Sequence, residues 1–447
     1  MKIYFLSILF FLIITTAINA QTTDSTKPSL WTNHFQATVI SQSHSGFKAA
    51  YSGTNSLADS VEVGATSITS TLFLGRKLWK GASVYFNPEI SGGHGLSYAL
   101  GVAGALNGET YRVGNPEPRV FIARAYIQQH IPLGNNDYID TEDDVNQIKD
   151  KIPANRITIS AGKFSMSDFY DDNKYNHDAR SQFFNWSLMA NGAWDYPANT
   201  RGYTFGLVVE LIKPTWALRL SSVAVPRVAN APELEYSFSK AHSETMEIEK
   251  KIILHKRPGV IRFIINNANS KAPSYTSGIN ALAINDTHTL DVIAGHEQGT
   301  IYGGKKFGLC FNAEQELTNE IGFFMRAGWN DGKYATWAFT EIDQTLSLGL
   351  SVKGNKWKRP NDICGIATVI NGISKDHRSF LKAGGYGFII GDGNLNYGHE
   401  RIIETYYNAK LSKSFWLTGD YQFVANPAYN KDRGSVHVFA IRGHIEF

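Results

Sequence analysis

The chain has 447 residues, a formal net charge of +3, and 40 Gly, 21 Tyr and 26 Phe beside only 14 Pro and 5 Met. This small net charge gives no reason to expect a nucleic-acid partner. Cys310 and Cys364 provide neither a disulfide framework nor a metal-ligand spacing. A composition rich in glycine and aromatic residues, without helix-forming blocks, predicts an all-β protein.

The chain begins MKIYFLSILFFLIITTAINA, in which an apolar run lies between Lys2 and a group of small residues. This order is typical of a secretory signal peptide. The apolar run, residues 3–14, is short for a spanning helix, which needs about 20 residues. We therefore predict a signal peptide over residues 1–20, cleaved after Ala20; an uncleaved anchor helix is the alternative. No Cys stands directly after the run, so we do not expect a lipid-anchored mature chain.

Segments along the rest of the chain alternate apolar and polar residues with a period of two. The segment VFIARAYIQQHI places Phe121 and Ile127 on one face and Arg124 on the other, and GYTFGLVVEL groups Tyr203 with Phe205. Such alternation fits either a half-buried soluble sheet or a membrane barrel. Many segments are close to the ~9–11 residues that a tilted strand needs to cross a bilayer.

We predict sixteen strands, which together form a single antiparallel transmembrane β-barrel domain over residues 21–447, with short helical insertions in its loops. The predicted strands are residues 32–42, 65–78, 83–92, 119–131, 156–164, 202–212, 216–225, 243–254, 260–267, 306–315, 320–329, 337–352, 362–372, 399–411, 414–425 and 435–447.

The predicted connections alternate between short turns and long loops, as they do in outer-membrane barrels. One connection breaks this pattern, because residues 132–155 are long where a short turn is due. Their acidic, polar sequence NNDYIDTEDDVNQIKDKI indicates a helix, and the strand count could then differ by two. The last predicted strand ends at Phe447, an aromatic residue in the register of its apolar face. This ending is similar to the signal that the barrel-insertion machinery reads.

Charged residues in the middle of predicted strands indicate the face that lines the lumen. Arg or Lys on the lipid face costs about 2–4 kcal/mol at the bilayer midplane, so each such Arg is expected to point inward. Arg and carboxylate groups can hydrogen-bond the hydroxyls of a neutral sugar, or they can pair with each other and brace the wall. The inward set is Arg124, Arg219, Arg262, Arg326 and Arg442, with Glu210, Glu314, Glu341, Asp343, Glu404 and Asp420. Sixteen strands leave an aqueous channel, so the barrel is expected to be a pore.

Residues 165–201 form a predicted loop with an unusual amount of aromatic surface. DARSQFFNWSLM could form one or two helical turns, and Trp186, Trp194 and Tyr196 would leave a sticky patch if the loop were free. We therefore expect the loop to fold into the barrel, where these rings either contact sugar or pack the loop against the wall. The oxygen-rich DFYDDN lacks the spacing of a calcium-binding EF-hand loop, and its Asp and Asn are ordinary turn residues. We assign no metal and no cofactor.

Four separated blocks resemble the carbohydrate-selective porins of the OprB type. They are GKFSMSDFYDDNKYNHDARSQFFNWSLMANGAWDYPANTRGYTFG from residue 162, RAGWNDGKYATWAFTEIDQTLSLGLSVKG from residue 326, GGYGFIIGDGNLNYGHERIIETYY from residue 384, and DYQFVANPAYNKDRGSVHVFAIRGHIEF from residue 420. The resemblance extends from about residue 65 onward. It implies a 16-stranded outer-membrane channel that passes small sugars by diffusion. The first strand and the acidic segment 132–155 are less similar, which leaves the preferred sugar open.

The expected function is thus passive, selective diffusion of small carbohydrates into the periplasm, with outer-membrane lipid and the insertion machinery as partners. Alternatives are a general or anion-preferring porin, a sealed structural barrel, or a barrel enzyme. No G-x-S-x-G or H-E-x-x-H motif occurs, and the 13 His are scattered, so we do not expect an enzyme. Without a sign of trimer formation, we expect a monomer. Nine residues of the solute path are predicted: Arg124, Arg219, Arg262, Arg326, Glu404, Asp420, Trp186, Trp194 and Tyr196.

Overall fold

The computed structural model describes residues 29–110, 117–134 and 137–447. Within them, sixteen antiparallel strands close into one barrel, each bonded to its neighbours in chain order and the last bonded to the first. This confirms the predicted sixteen-stranded all-β barrel. The predicted signal peptide lies outside the described residues. The strands are β1 Trp31–His44, β2 Glu62–Trp79, β3 Ala82–Gly93, β4 Arg119–Pro132, β5 Arg156–Phe164, β6 Thr204–Lys213, β7 Trp216–Val223, β8 His242–Leu254, β9 Arg257–Ser270, β10 Gly304–Glu316, β11 Ile321–Asn330, β12 Gln344–Gly354, β13 Arg359–Gly372, β14 Glu400–Lys410, β15 Phe415–Ala425 and β16 Val436–Glu446.

The period-two pattern of the sequence sorts side chains between the outer and inner faces of the wall. In β12, Leu346 and Leu348 are 42% and 43% exposed on the outer face, whereas Ser347 between them is buried. The barrel closes where β1 meets β16, and the backbone groups of Phe35 and Phe447 exchange two hydrogen bonds of 3.0 Å there. The outer face is therefore an apolar band around a polar interior.

The two ends of the barrel differ in the length of their connections. At one end, the turn end, six hairpins are closed by two to four residues each, among them the hairpin of β2 and β3, which residues 80–81 close. At the other end, the loop end, long connections carry α2 Tyr275–Ile284, α3 Thr287–Ile293 and α4 Lys375–Lys382, while α1 Trp186–Met189 lies in the connection from β5 to β6. None of the helices among the described residues is long and apolar enough to cross a membrane.

The connection between β4 and β5 is a correction to the sequence prediction. The acidic segment 132–155 was expected to be a helix, but Tyr138–Thr141 and Asp150–Pro153 pair as a two-stranded hairpin. The ladder between the two short strands satisfies their backbone groups. The hairpin folds over the turn end, where Lys77 pairs with Asp150 at 2.6 Å and Ile148 packs beside Tyr85. We call residues 137–153 the turn-end hairpin.

Two aromatic residues predicted for the outer face point inward instead. The pairing of β3 with β4 slips between Asn87 and Pro88, which oppose Arg124 and Ile122 and leave one residue of β4 unmatched. Such a bulge reverses the facing of every residue beyond it, so Phe121 turns inward while Arg124 keeps its predicted inward direction. Tyr203 precedes β6, and its hydroxyl donates to the Glu89 carboxylate at 3.1 Å.

The strand predicted over 337–352 begins later, at Gln344. The Asp195 carboxylate accepts hydrogen bonds from the backbone N–H groups of Trp337 at 3.0 Å and Ala338 at 2.9 Å. These amides therefore bond to a side chain instead of to a neighbouring strand. Residues 337–343 form part of the loop between β11 and β12.

Candidate functional site

Residues 165–203, here called the inward segment, leave β5 at the loop end and enter the barrel. Three fully buried, inward-pointing side chains of the wall hold the segment. Arg326 of β11 donates to the Asp171 carboxylate at 3.0 Å, and Arg442 of β16 donates to the carbonyl of Ala179 at 2.7 Å. Glu404 of β14 accepts from the backbone N–H of Asn185 at 3.0 Å. The segment thus lies against the half of the wall formed by β8–β16.

Asp171 is the most heavily bonded attachment of the inward segment. Its carboxylate accepts from Arg326, from the Asn312 side chain at 2.6 Å and from the Asn191 backbone at 2.7 Å. Its own backbone N–H donates to Glu247 at 2.8 Å. The residue has a φ of +56°, a conformation that Asp and Asn adopt more readily than most residues. Sequence and local geometry therefore agree on a tight, charge-anchored turn.

Further along the inward segment, Asn185 caps the single helical turn α1. Its side chain accepts a hydrogen bond from the backbone N–H of Ser187, as an N-cap residue does. The predicted helix of one or two turns is thus one turn long. It places Trp186 parallel to Phe339, with ring centroids 4.2 Å apart and planes 9° apart. The turn presents Trp186 and Met189 away from the β8–β16 wall.

A cavity of about 930 Å³ remains between the inward segment and the half of the wall formed by β1–β7. Its lining extends from Gly81 and Ile212 at the turn end to Thr200 and Tyr203 near the loop end. The turn-end hairpin forms part of its floor, because residues 144–148 line it and Asn146 accepts a hydrogen bond from Asn87 at 2.9 Å. The cavity therefore follows the length of the barrel on one side of the lumen.

The cavity wall carries ion pairs between the strands and the inward segment. Arg124 of β4 pairs with Asp168 at 2.6 Å, and Arg180 of the segment bridges Glu89 at 3.1 Å and Glu109 at 3.0 Å. These groups are between 4% and 19% exposed, so they are only partly hydrated. Partly buried charge-assisted bonds fix the positions of donors and acceptors at the cavity surface.

A second network of ion pairs connects β6, β7 and β8. Arg219 of β7 donates to Glu210 at 3.0 Å, to Glu247 at 2.7 Å and to Glu249 at 3.1 Å. Its side chain is 14% exposed, and both Arg219 and Glu210 line the cavity. One guanidinium thus bonds to three carboxylates, of which Glu249 is shared with Arg262.

The titration of groups in the inward segment follows from these neighbours. Burial opposes the ionisation of Asp178, but the charge of Arg180 outweighs it, so the pKa of Asp178 is lowered from its usual value. Burial and the charge of Glu89 raise the pKa of Tyr203 well above its usual value. At neutral pH the Asp178 carboxylate is therefore ionised, and the Tyr203 hydroxyl remains a donor.

The predicted site residues divide into two groups. Arg124, Arg219, Trp186 and Tyr196 line the cavity. The inward segment fills the other half of the lumen, and its packing against the wall buries the remaining predicted residues away from the cavity. These are Arg262, which pairs with Glu249 and Glu314, and Arg326, Glu404, Asp420 and Trp194, all of them buried. The contact of either group with solute stays a prediction.

Several lining residues were not among the predicted site residues. Glu89 lies in β3 two residues from each of the polar residues Asn87 and Ser91, and all three are buried on the inner face. The parity of the strand alone could therefore have identified it. Arg180 and Asp168 lie in the inward segment, whose irregular backbone has no period. The sequence carries no signal for their partners.

None of the curated protein sequences matches this chain. The sequence model described as "Carbohydrate-selective porin, OprB family" matches residues 67–447. Among solved structures, the high-pH structure of Pseudomonas putida OprB is similar at a TM-score of 0.65 and 16% identity, covering 93% of this chain and 94% of that one. The outer membrane channel DcaP of Acinetobacter baumannii has a TM-score of 0.49 and 10% identity, with 95% and 99% covered.

Proposed function

This chain belongs to the OprB family of carbohydrate-selective porins, and we propose that sugars cross its barrel through the cavity beside the inward segment. It is a porin of the outer membrane, a channel rather than an enzyme. The observation that carries the proposal is the cavity itself, whose lining joins residues of the turn end to residues of the loop end. The path is expected to be a passive one, with solute moving down its gradient.

The chemistry of the lining suits a sugar. Trp186 and Tyr196 provide aromatic faces for the apolar C–H faces of a pyranose ring. The Arg124–Asp168 and Arg180–Glu89 pairs hold donors and acceptors in fixed positions, where hydroxyl groups can bond to them without a net-charge match. Weak, repeated contacts of this kind retain sugars briefly and let them leave.

The charge of the lining argues against the anion-preferring alternative. Among the described residues around the cavity there are nine carboxylates and five arginines. The carboxylates around the cavity therefore outnumber the arginines on which the anion-preferring alternative depends. A lumen with excess negative charge attracts cations and repels anionic solutes.

Liposome swelling tests the proposal directly. The purified protein is reconstituted, and swelling rates are compared for glucose, a disaccharide and a zwitterionic amino acid of similar size to glucose. Faster entry of glucose than of the amino acid supports the selective channel. Equal rates would show that the protein is a general pore, and no swelling with any solute would contradict the proposal that it is an open channel.

We further propose that the outer apolar band lies in the lipid of the outer membrane and that the protein is a monomer. The last strand, with Phe439 and Ile441 on its outer face, and the Phe447 that follows it form the segment that the barrel-insertion machinery would recognise. Export would remove residues 1–20 after Ala20. Light scattering of the detergent-solubilised protein tests the monomer, and N-terminal sequencing of the mature chain tests the cleavage site.

A further inference from the structure

The outer face at the turn end carries a tryptophan with one lysine on each side of it. Lys213, the last residue of β6, is paired in register with Trp216 of β7, and Trp216 is paired with Lys250 of β8. Directly paired residues point to the same face, with their Cβ atoms about 4.5–5.5 Å apart. The three side chains therefore lie side by side, and we call them the Lys–Trp–Lys row.

On β6 and β7 the row borders the apolar band of the outer face, and on β8 the outer-face residues Ile252 and Leu254 lie beyond it. Along the same strands, Leu207, Leu220 and Ile248 are 43%, 47% and 47% exposed, and each is separated from a member of the row by an even number of residues. An even spacing keeps side chains on one face. Lysine on this face is costly at the bilayer midplane but tolerated near the interface, where Trp is enriched. The row is thus placed at headgroup level.

The charges of the row have no acidic partner in the part of the chain that the structure describes. The nearest acidic residue in β8 is Glu249, which points to the inner face and pairs with Arg219 and Arg262. The turn after β8 adds further positive charge with the exposed Lys256. Two unneutralised ammonium groups beside an indole and an apolar band match the phosphate and the acyl chains of a phospholipid.

We propose that the Lys–Trp–Lys row binds the phosphate of an anionic phospholipid in the periplasmic leaflet. Neighbouring strands are about 4.8 Å apart, so Lys213 and Lys250 flank Trp216 from about 10 Å apart. The long, flexible lysine stems allow both ammonium groups to approach one headgroup while the indole lies against its glycerol region. This inference rests on the proposed placement of the outer face in lipid.

Native mass spectrometry of the intact barrel, released from detergent micelles, tests the inference. The protein is titrated with phosphatidylglycerol and, separately, with zwitterionic phosphatidylcholine, and the dissociation constant of the first bound lipid is measured. The wild type is expected to prefer phosphatidylglycerol. A basic residue near an anionic lipid surface contributes roughly a fivefold change in affinity. The double variant Lys213→Gln with Lys250→Gln should therefore lose about 25-fold for phosphatidylglycerol and little for phosphatidylcholine.

The matched control is Lys251→Gln with Lys353→Gln. It removes the same charge from the same rim, but both lysines follow the inner-face parity of their strands. The control should keep the wild-type preference. An equal loss in both double variants would overturn the site, since it would show a general charge effect. Equal binding of the two lipids by the wild type would overturn this inference alone, whereas binding of neither would also contradict the proposed placement in lipid.

Discussion

Replacement of Arg326 by Met should release the inward segment from the wall. The Arg326 guanidinium donates to the Asp171 carboxylate at 3.0 Å, to the Leu188 carbonyl at 2.9 Å and to the Asn176 carbonyl at 2.7 Å. Without it, a buried carboxylate is left uncompensated, which typically costs about 3–5 kcal/mol. That free energy changes the ratio of docked to detached segment by roughly 150- to 4,000-fold.

Single-channel recording in planar bilayers measures the consequence. The inward segment fills half of the lumen, so its release should enlarge the conductance of Arg326→Met, with frequent switching between two levels. In the double variant Arg326→Met with Asp171→Asn no unpaired charge remains, and the conductance should return toward that of the wild type. An Arg326→Met channel with wild-type conductance and wild-type stability in urea would refute the reasoning, because the ion pair would then not hold the segment.

Four further outcomes are expected. The wild-type channel should select cations over anions in reversal-potential measurements, because carboxylates exceed arginines around the described part of the cavity; anion selectivity would contradict this. The pKa of Asp178 is lowered from its usual 3.8, so the stability that its ionised carboxylate contributes is present above that pH and is lost as pH falls through the lower folded value. The difference in free energy of unfolding between the wild type and Asp178→Asn should therefore stay constant down to about pH 4, and a difference that already shrinks near pH 5 or 6 would count against this assignment. Replacing residues 137–153 by a short glycine linker should raise conductance, because the turn-end hairpin forms part of the cavity floor; an unchanged conductance would remove the hairpin from the path. Trp186→Ala should weaken the inhibition of ion current by added glucose, whereas the exposed outer-face substitution Leu348→Ala should not.

The wall of the barrel could be predicted from the sequence because the alternation of apolar and polar residues within a strand indicates which side chains face outward. In β12, Leu346, Ser347 and Leu348 alternate in exposure as their apolar and polar types do. The prediction failed for Phe121 because the bulge depends on how β4 pairs with β3 around Pro88, a contact between strands that no single segment encodes. Local pattern therefore predicts facing only where the register is regular.

The site was less predictable because it depends on contacts between distant parts of the chain. Four of the five inward arginines were predicted for the solute path, yet one of these four, Arg326, is covered by residues about 150 positions earlier in the chain. The aromatic content of residues 165–201 predicted an inward loop, and the chain does enter the barrel there. Which half of the lumen the segment fills is decided by Asp171 and the other buried attachments. These attachments have no period or motif.

Glucose swelling of liposomes with two neighbouring tryptophan substitutions tests the central claim most directly. Gln128 lines the cavity, whereas Ile127 beside it is exposed on the outer face. If sugars cross through this cavity, Gln128→Trp should slow glucose entry strongly, and Ile127→Trp should leave it at the wild-type rate. Equal, wild-type rates for both variants would contradict the account, because glucose would then cross the barrel by another path.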